Sequence, residues 1–189
     1  MPVINVTLIA GYDDATRQRL CERLTDAAMA TIVAPAEAVT VFVNEVQPSS
    51  YMRGREAKVP GPAPTPPAEL CLDFLDALGA RNLEHATSLI DEGFEMVFPG
   101  PARFTDFSDL MNWASPRYRT IGKKIDRVDE APLGETVAVY VTGTLYGETP
   151  DGTPFERIRF IDRFEVHAGK ILRQEVWNDL AETGVTGAG

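Results

Sequence analysis

The sequence is poor in positive charge and has no long apolar segment, and both absences exclude classes of protein. Lysine and arginine number 18 against 28 aspartates and glutamates, which gives a net charge of −10. Such an acidic balance repels nucleic-acid phosphates, so we expect no nucleic-acid partner. No apolar run approaches the roughly 20 residues that span a bilayer, and the first residues lack the basic flank of a secretion signal. We therefore expect a cytoplasmic protein with no membrane partner.

Cysteine and histidine are also scarce, with two residues of each. Cys21 and Cys71 fit no metal-binding or redox spacing, and each lies among apolar residues at helical spacing. This pattern predicts two buried thiols in a reducing compartment. His85 and His167 are assigned no role. The sequence therefore predicts no metal site and no organic cofactor.

Proline is concentrated in one segment, which reads KVPGPAPTPPAE from Lys58 to Glu69. Proline at this density removes backbone donors and favours extended geometry, which predicts a semi-rigid linker. The charge divides at the same place, because residues 1–58 carry 7 acidic and 6 basic side chains and leave 21 and 12 for the rest. We predict domains over 1–58 and 68–182, a linker over 59–67 and a flexible tail over 183–189.

The pattern of residues 1–58 predicts one β-α-β unit. Val3–Ile9 is β-branched and apolar, which indicates a strand buried on both faces. Asp13 is placed to cap a helix that ends near Val33, and a second strand follows over Val39–Val46. A helical crossover implies that the two strands lie parallel. A unit this small cannot cover both faces of its sheet, so we expect a homo-oligomer or packing on the second domain.

The second half predicts an α+β arrangement, with helices first and a curved antiparallel sheet afterwards. Asn82 and Ser108 are placed to cap the second and third of its helices. Turns at residues 150–152 and 167–170 make hairpins of the last three strands. The expected elements are a helix over Ala68–Ala80, a short strand over Phe94–Phe98 and strands over Lys124–Asp129, Thr136–Gly147, Phe155–His167 and Lys170–Asn178.

Pro2 is the first candidate catalytic residue. Once Met1 is removed, the chain begins with a secondary amine, and burial or nearby cations lower the pKa of an amine from about 7.7–8.0. Such a nitrogen can be neutral near pH 7 and take a proton from a carbon next to a carbonyl. If Met1 is retained, the Pro2 nitrogen is an amide without basicity. The alternative is a strand-start proline on an oligomerising fold that has no catalysis.

The features around Pro2 carry a resemblance to a known family. They are the leading proline, the glycine after the first strand, Ala34-Pro35 after the helix, and the strand VTVFVNEV followed by an aromatic–Gly segment. Residues 2–58 resemble the 4-oxalocrotonate tautomerase family on these grounds. The resemblance implies that Pro2 is the base in a keto–enol isomerisation and that Tyr51 lowers the polarity around it.

Two positions depart from that family. Its best-studied members bind substrate carboxylates with one arginine after the first strand and another early in the second strand, and these positions are Tyr12 and Thr40 here. Neither side chain forms a bidentate, charge-assisted pair with a carboxylate. Arg53 or Arg55 in the following loop is a candidate replacement, and both also fit a solvated surface. A substrate with two carboxylates is therefore not expected.

Asp162 is the second candidate catalytic residue. Residues alternate along Phe155–His167, and Asp162 falls on the apolar side. A carboxylate in a hydrophobic row is costly unless it is paired, and its proton affinity rises, which is how a general acid or base is made. The alternative is a structural carboxylate held by an arginine or by Tyr140. Trp177, at the end of the last strand, is predicted to lie near Asp162. Tyr140 and Trp177 either line a pocket or belong to the core.

The basic cluster from Arg117 to Lys124 indicates a solvated surface. Three segments of the second half carry a further resemblance: FLDALGARNLEHATSLI, FEMVFPG and DGTPFERIRFIDRFEVHAGKILRQEVWND. They are similar to the SnoaL-like branch of the nuclear transport factor 2-like superfamily. The resemblance implies a cone-shaped α+β barrel and places the acidic residue of the family's cyclases at Asp162. Members include cyclases, isomerases and non-catalytic binders, so the fold leaves the activity open.

Together these patterns predict a small-molecule keto–enol isomerase that uses Pro2, with the second domain as an accessory pocket or an oligomerisation module. One alternative is a non-catalytic ligand-binding or oligomerisation protein, and another is cyclase or isomerase chemistry at Asp162. The expected partners are a small-molecule substrate and further copies of the chain. The predicted substrate-binding residues are Tyr12, Thr40, Tyr51, Arg53, Tyr140 and Trp177.

Overall fold

The structure, a computed structural model, describes residues 1–100 and 102–185, and the chain divides into two compact units. The first unit is Met1–Ala63 and the second begins at Pro64. From Lys58 to Pro66 the chain forms neither helix nor strand, because closely spaced prolines remove the amide donors that both need. In the part of the chain that the structure describes, no helix has the length and apolar character to cross a membrane.

The predicted tail is described only as far as Val185. Its last residues, 186–189, lie outside the described part of the chain. Thr183 and Val185 take part in hydrogen-bonded turns, in which the Val185 amide donates to the Leu180 carbonyl at 3.0 Å. The start of the tail is therefore bonded to residues 179–181, which directly follow the last strand.

The first unit is the predicted β-α-β arrangement. Its two longer strands lie parallel and a helix crosses between them. Asp13 caps this helix, since its carboxylate accepts from the Thr16 amide at 2.8 Å. A short hairpin closes the unit. The elements are β1 (Val3–Ile9), α1 (Asp14–Thr31), β2 (Thr40–Val46), β3 (Met52–Arg53) and β4 (Glu56–Ala57), with single 3-10 turns at Ala36–Ala38 and Pro48–Ser50.

One face of the β1–β2 sheet is uncovered, so the prediction of a first strand buried on both faces is wrong. Exposed and half-buried residues alternate along most of β1. Val3 is 56% exposed and Phe42 on β2 is 53% exposed. The physical reason is that a single helix shields only one side of a two-stranded sheet. Cys21 on α1 is half-buried rather than buried, whereas Cys71 in the second unit is fully buried, as predicted.

The second unit is a six-stranded sheet with three helices, which confirms the predicted α+β class. The sheet order is β6-β5-β10-β9-β8-β7, with β5 and β10 parallel and every other neighbouring pair antiparallel. The helices are α2 (Pro67–Gly79), α3 (Leu83–Leu89) and α4 (Phe107–Ala114), and the strands are β5 (Ile90–Val97), β6 (Arg103–Phe104), β7 (Thr120–Leu133), β8 (Thr136–Glu148), β9 (Pro154–His167) and β10 (Lys170–Asn178).

The helix caps follow the prediction in one case and correct it in the other. Asn82 caps α3, because its side chain accepts from the His85 amide at 3.2 Å. The α4 cap is Asp106 rather than Ser108, and its carboxylate accepts from the Ser108 amide at 2.6 Å. The Asp106 carboxylate therefore bonds the Ser108 amide in the first turn of the helix, and Ser108 itself lies within that turn.

Close backbone approach between β7 and β8 requires glycine at two positions. A Cβ atom on Gly143 would lie 2.0 Å from the Lys124 carbonyl oxygen, and one on Gly147 would lie 2.1 Å from that of Thr120. The strand register also shifts between Ile125 and Arg127 on β7. Bulges and glycines in strands permit such bends, which give the sheet its curvature.

The core of the second unit lies between its helices and one face of the sheet, which we call the inner face. Phe74 on α2 lies at its centre and is fully buried. Its ring is 5.6 Å from that of Phe94 on β5 and 6.0 Å from that of Phe164 on β9, both edge-on. The alternation predicted for β9 is confirmed, since Phe160, Asp162 and Phe164 all lie on this face.

Candidate functional site

Pro2 is fixed by backbone pairing at the start of the first sheet. Its carbonyl accepts from the Thr40 amide at 3.0 Å, which joins the beginning of β1 to the beginning of β2. Pro2 is half-buried, whereas Met1 is 91% exposed. Because Met1 is so exposed, its removal would free the Pro2 nitrogen without taking away buried packing.

Tyr12 lies at the opposite end of the same unit. It follows the carboxyl end of β1, and β1 runs parallel to β2 from Pro2 and Thr40 to the Ile9–Val46 pair. Seven strand residues at roughly 3.3 Å each separate the two ends by roughly 20 Å. Within one chain, Pro2 and Thr40 are therefore adjacent, and Tyr12 is remote from both.

The arginine beside Tyr12 is Arg17, which the sequence analysis did not single out. Its guanidinium donates to the Tyr12 carbonyl at 2.5 Å and to Glu45 at 3.0 Å, and it also pairs with Asp14. These partners occupy the planar fork of the guanidinium. Arg17 thus ties the start of α1 to the end of β2 and is a structural residue.

Tyr51 and Arg53 belong to the segment after β2. Tyr51 is half-buried and Arg53 is exposed on the first strand of the β3–β4 hairpin. The hairpin turns at Gly54 and Arg55, whose φ angles are 62° and 67°. Two consecutive positive φ angles are typical of a tight two-residue hairpin turn. Arg53 is thus presented to solvent on a short, defined loop.

Asp162 is the buried carboxylate of the second unit. Its exposed fraction is 0%, and its strand neighbours are Val141 on β8 and Val176 on β10. Its Oδ2 atom accepts from Gln174 Nε2 at 3.3 Å and pairs with the Lys123 ammonium. Its Oδ1 atom has no hydrogen-bond partner among residues 1–100 and 102–185. The carboxylate is therefore held by one oxygen only.

Lys123 corrects two predictions. The residue that holds Asp162 is this lysine rather than an arginine or Tyr140, and the basic cluster that contains it is not wholly solvated. Lys123 lies opposite Leu145 in the strand pairing, which places it on the inner face. Its ammonium lies 4.7 Å from the centroid of the Phe160 ring, and its side chain is 27% exposed. Lys123 therefore links the buried carboxylate to the solvent.

Arg117 of the same cluster also differs from the prediction of a solvated surface. Its guanidinium carbon lies 4.1 Å from the centroid of the Trp113 ring, a cation–π contact. Trp113 in turn packs edge-on against Phe98 with 5.4 Å between ring centroids. The basic cluster is thus divided between inward contacts at Arg117 and Lys123 and exposed side chains such as Lys124.

Tyr140 and Trp177 lie on the outer face of the sheet, away from Asp162. Tyr140 pairs with Arg163 across β8 and β9, one residue out of phase with Asp162. Trp177 pairs with Ile161 and is 50% exposed. Successive residues of a strand point to opposite faces, so neither aromatic lines a site at Asp162. Both side chains were predicted to lie near Asp162, and the strand register shows that they lie on the other face of the sheet.

Gln174 and Cys71 complete the surroundings of Asp162, and Gln174 is not among the residues predicted from the sequence. Gln174 is 1% exposed on β10, where it interrupts an apolar row, and that interruption is the same signal that singled out Asp162. Burial, together with the charge of Asp162, raises the pKa of the Cys71 thiol far above its usual range. Cys71 is therefore a neutral thiol that packs in the core.

The described residues contain no group of three or more His, Cys, Asp or Glu side chains arranged to hold a metal ion. Around Asp162 the acid–base groups are its own carboxylate and the Lys123 ammonium, with Gln174 as an amide neighbour. In the first unit the candidate base is Pro2, once its nitrogen is freed.

Comparison with known proteins finds a family match for the first unit and a fold likeness for the second. Residues 2–59 match the family model of tautomerase enzymes, and the match begins at Pro2. The match confirms the resemblance drawn from the residues and supports isomerase-type chemistry. A search of curated proteins found no match.

The second unit has the fold of NTF2-like proteins. The crystal structure of TerC with polyporic acid has a TM-score of 0.51 at 16% identity and covers 61% of this chain and 93% of its own. An NTF2-like protein from Burkholderia xenovorans LB400 has a TM-score of 0.50 at 19% identity, covering 63% and 94%. One of unknown function from Burkholderia pseudomallei K96243 has a TM-score of 0.50 at 16% identity, covering 64% and 96%. At these identities the likeness shows the fold alone.

Proposed function

We propose that the protein is a small-molecule keto–enol isomerase in which the Pro2 nitrogen is the base. The observation that carries this proposal is the tautomerase match, which begins at the one residue able to supply a secondary amine at the chain start. The half-buried position of Pro2 supports it, because partial desolvation favours the neutral amine. Removal of Met1 is a condition of the proposal, since an amide nitrogen has no basicity.

The proposed step moves one proton and needs no oxidant or reductant. The Pro2 nitrogen takes a proton from the carbon next to a carbonyl, and the C–H electron pair forms a carbon–carbon double bond. The carbonyl π pair moves to oxygen, which takes the proton from the protonated Pro2 nitrogen, so that the enol forms and the base is regenerated. The reverse sequence converts the enol to the ketone. Thr40 lies beside Pro2 and is the proposed hydroxyl contact for the substrate oxygen.

We propose that the active site is completed between copies of the chain. Tyr12 lies roughly 20 Å from Pro2 in one unit, so the two contact one small substrate only if a second copy supplies Tyr12. The uncovered sheet face around Val3 and Phe42 is the proposed interface. The second unit would then serve as an accessory pocket or a further assembly surface.

Arg53 is the proposed anchor for a substrate carboxylate, and Tyr51 is the proposed apolar neighbour. Arg17 is excluded from this role by its bonds to Glu45 and Asp14. The exposed hairpin leaves Arg53 free to pair with a single carboxylate. A monocarboxylate such as an enol acid fits this arrangement better than a dicarboxylate does.

The test is turnover of phenylenolpyruvate by protein whose start is verified by intact mass. Protein without Met1 is expected to convert the enol to the ketone, and Pro2→Ala is expected to abolish the enzymatic rate. Arg53→Gln is expected to raise KM, with Arg55→Gln in the same hairpin as its control. A chain that retains Met1, or an unchanged rate in Pro2→Ala, would exclude the proposed mechanism.

A second candidate places proton transfer at Asp162. It is favoured by a specific observation, namely that the Oδ1 atom is buried and unpartnered while Lys123 neutralises the other oxygen. A carboxylate in this setting is a candidate general base. If isomerase activity survives Pro2→Ala and disappears in Asp162→Asn, this candidate replaces the first. If the unmodified chain and both variants all show only the uncatalysed rate, the protein is a non-catalytic binding or oligomerisation module.

A further inference from the structure

The second unit has two buried acceptor atoms that lack donors. They are Asp162 Oδ1 and Gln174 Oε1, and neither has a hydrogen-bond partner in the described part of the chain. The two residues are 0% and 1% exposed. Buried polar atoms are nearly always hydrogen-bonded, because an unpaired one loses its contacts with water and gains nothing in return. This pair of atoms therefore indicates a site that a donor group completes.

The orientation of the Gln174 amide follows from its neighbour. Its Nε2 atom donates to Asp162 Oδ2 at 3.3 Å. The flipped amide would place its oxygen against the carboxylate oxygen, and two acceptors repel one another. Both free atoms are therefore acceptors. A ligand that bonds to either of these two atoms has to donate a hydrogen atom to it.

Lys123 supplies the complementary donors at the same place. An ammonium has three hydrogen atoms, and its pairing with Asp162 leaves others for a ligand. It lies over the Phe160 ring and is partly exposed, whereas Asp162 and Gln174 are fully buried. The cluster thus offers one cationic donor next to two buried acceptors, with Lys123 on the side that reaches solvent.

We propose that this cluster binds the hydroxyl group of an enol or a phenol. The hydroxyl hydrogen donates to Asp162 Oδ1, and the same oxygen accepts from the Lys123 ammonium. A ketone or ether oxygen lacks the hydrogen, and a carboxylate would bring a second negative charge against Asp162. Phe160, Val141 and Val176 surround Asp162 with apolar side chains, so the proposed ligand carries its hydroxyl on an apolar body.

This proposal rests on the second candidate function, proton transfer at Asp162, and names the class of ligand that the carboxylate would bind. It does not depend on Pro2. Its test is therefore binding rather than turnover. The probes are 2-naphthol, a stable phenol, and 2-methoxynaphthalene, which keeps the ring and the oxygen but lacks the donor hydrogen. Calorimetric titration of the full chain at pH 7 is expected to show 2-naphthol binding about tenfold more tightly, the worth of one charge-assisted hydrogen bond.

Variants locate the binding. Lys123→Met is expected to remove the preference for 2-naphthol, whereas Lys124→Met, the adjacent exposed lysine, is expected to keep it. If Lys123→Met does not fold, the charge-neutral double variant Lys123→Met/Asp162→Asn takes its place and is also expected to lose the preference. Pro2→Ala is expected to bind 2-naphthol like the unmodified chain. Equal affinity for the two probes, no saturable binding, or a preference that survives in the folded Lys123 variant would each overturn the proposal.

Discussion

Lys123 on β7 pairs with Asp162 on β9 across the intervening strand β8. The two residues are not strand neighbours, since Lys123 lies opposite Leu145 and Asp162 lies opposite Val141. The lysine side chain therefore spans the inner face to reach a carboxylate that has no exposure. A buried ion pair is expensive to form, and breaking one by removing a single partner is more expensive still. Removal of either partner alone is therefore expected to destabilise the second unit.

Lys123→Met is expected to destabilise the protein by about 3 kcal/mol, because it leaves the Asp162 carboxylate buried without its cation. The figure is at the low end for a broken buried pair because Lys123 is itself partly exposed. Urea unfolding followed by circular dichroism measures the change. Lys124→Met is the matched control and is expected to stay within about 0.5 kcal/mol of the unmodified chain. Equal midpoints for the two variants would contradict the importance of the pair.

Much of the fold could be predicted from local signals. β1 and β10 have the predicted limits, and the turns of the last hairpins and the Asn82 cap are as expected. Alternation, glycine turns and side-chain caps are encoded within a few residues, so a sequence shows them directly. The uncovered face of β1 is different, because its burial depends on what packs against the sheet and not on the strand's own composition.

The candidate site was predictable only in part, for a related reason. Asp162 stands out because it breaks an apolar row on its own strand. Its partner Lys123 is 39 residues earlier in the chain, and no local pattern separates it from Lys124. The outward placement of Tyr140 and Trp177 follows from strand register, in which a shift of one residue reverses every side chain.

The helix caps predict a specific acid sensitivity. Hydrogen bonds from the Thr16 hydroxyl and amide hold the pKa of Asp13 below its usual range, and one from the Ser108 amide does the same for Asp106. A carboxylate whose pKa is lowered on folding stabilises the folded state above its unfolded pKa, and this contribution is lost as the pH falls through the folded value. The double variant Asp13→Asn/Asp106→Asn keeps cap acceptors but cannot titrate. Its stability is expected to fall less steeply below about pH 4 than that of the unmodified chain.

Thermal unfolding at several pH values between 2 and 7 measures this slope. The matched control is Asp26→Asn/Asp76→Asn, which removes two exposed carboxylates within α1 and α2 that cap neither helix. The control is expected to keep the steep loss of stability at low pH. The same slope in both double variants would show that the caps make no special contribution.

Gly143→Ala tests the close approach of β7 and β8. The added Cβ atom would lie 2.0 Å from the Lys124 carbonyl oxygen, so the backbone has to move. Forcing extra atoms into a tightly packed place typically costs about 1–3 kcal/mol or more. Gly79→Ala at the end of α2 is the control, because its Cβ meets nothing within 4 Å. Denaturant midpoints are expected to fall for Gly143→Ala alone, and an equal midpoint for both variants would contradict the requirement for glycine.

The uncovered face of the first sheet predicts that assembly and isomerase activity are lost together. Val3 and Phe42 place two large apolar side chains on that face at more than half exposure, which favours burial against another copy. Phe42→Asp puts a charge into the proposed interface and is expected to lower the molar mass measured by light scattering to that of one chain. Because Pro2 and Tyr12 lie at opposite ends of one unit, the same variant is expected to lose phenylenolpyruvate turnover.

The control for this variant is Val33→Asp, which changes a fully exposed apolar residue after α1 that lies outside the sheet. It is expected to keep both the mass and the rate of the unmodified chain. If the unmodified protein has the molar mass of one chain, the proposed interface does not form. If a monomeric Phe42→Asp variant keeps full turnover, one copy holds a complete site. In either case Tyr12 has no part in the reaction, because one unit cannot bring it to Pro2.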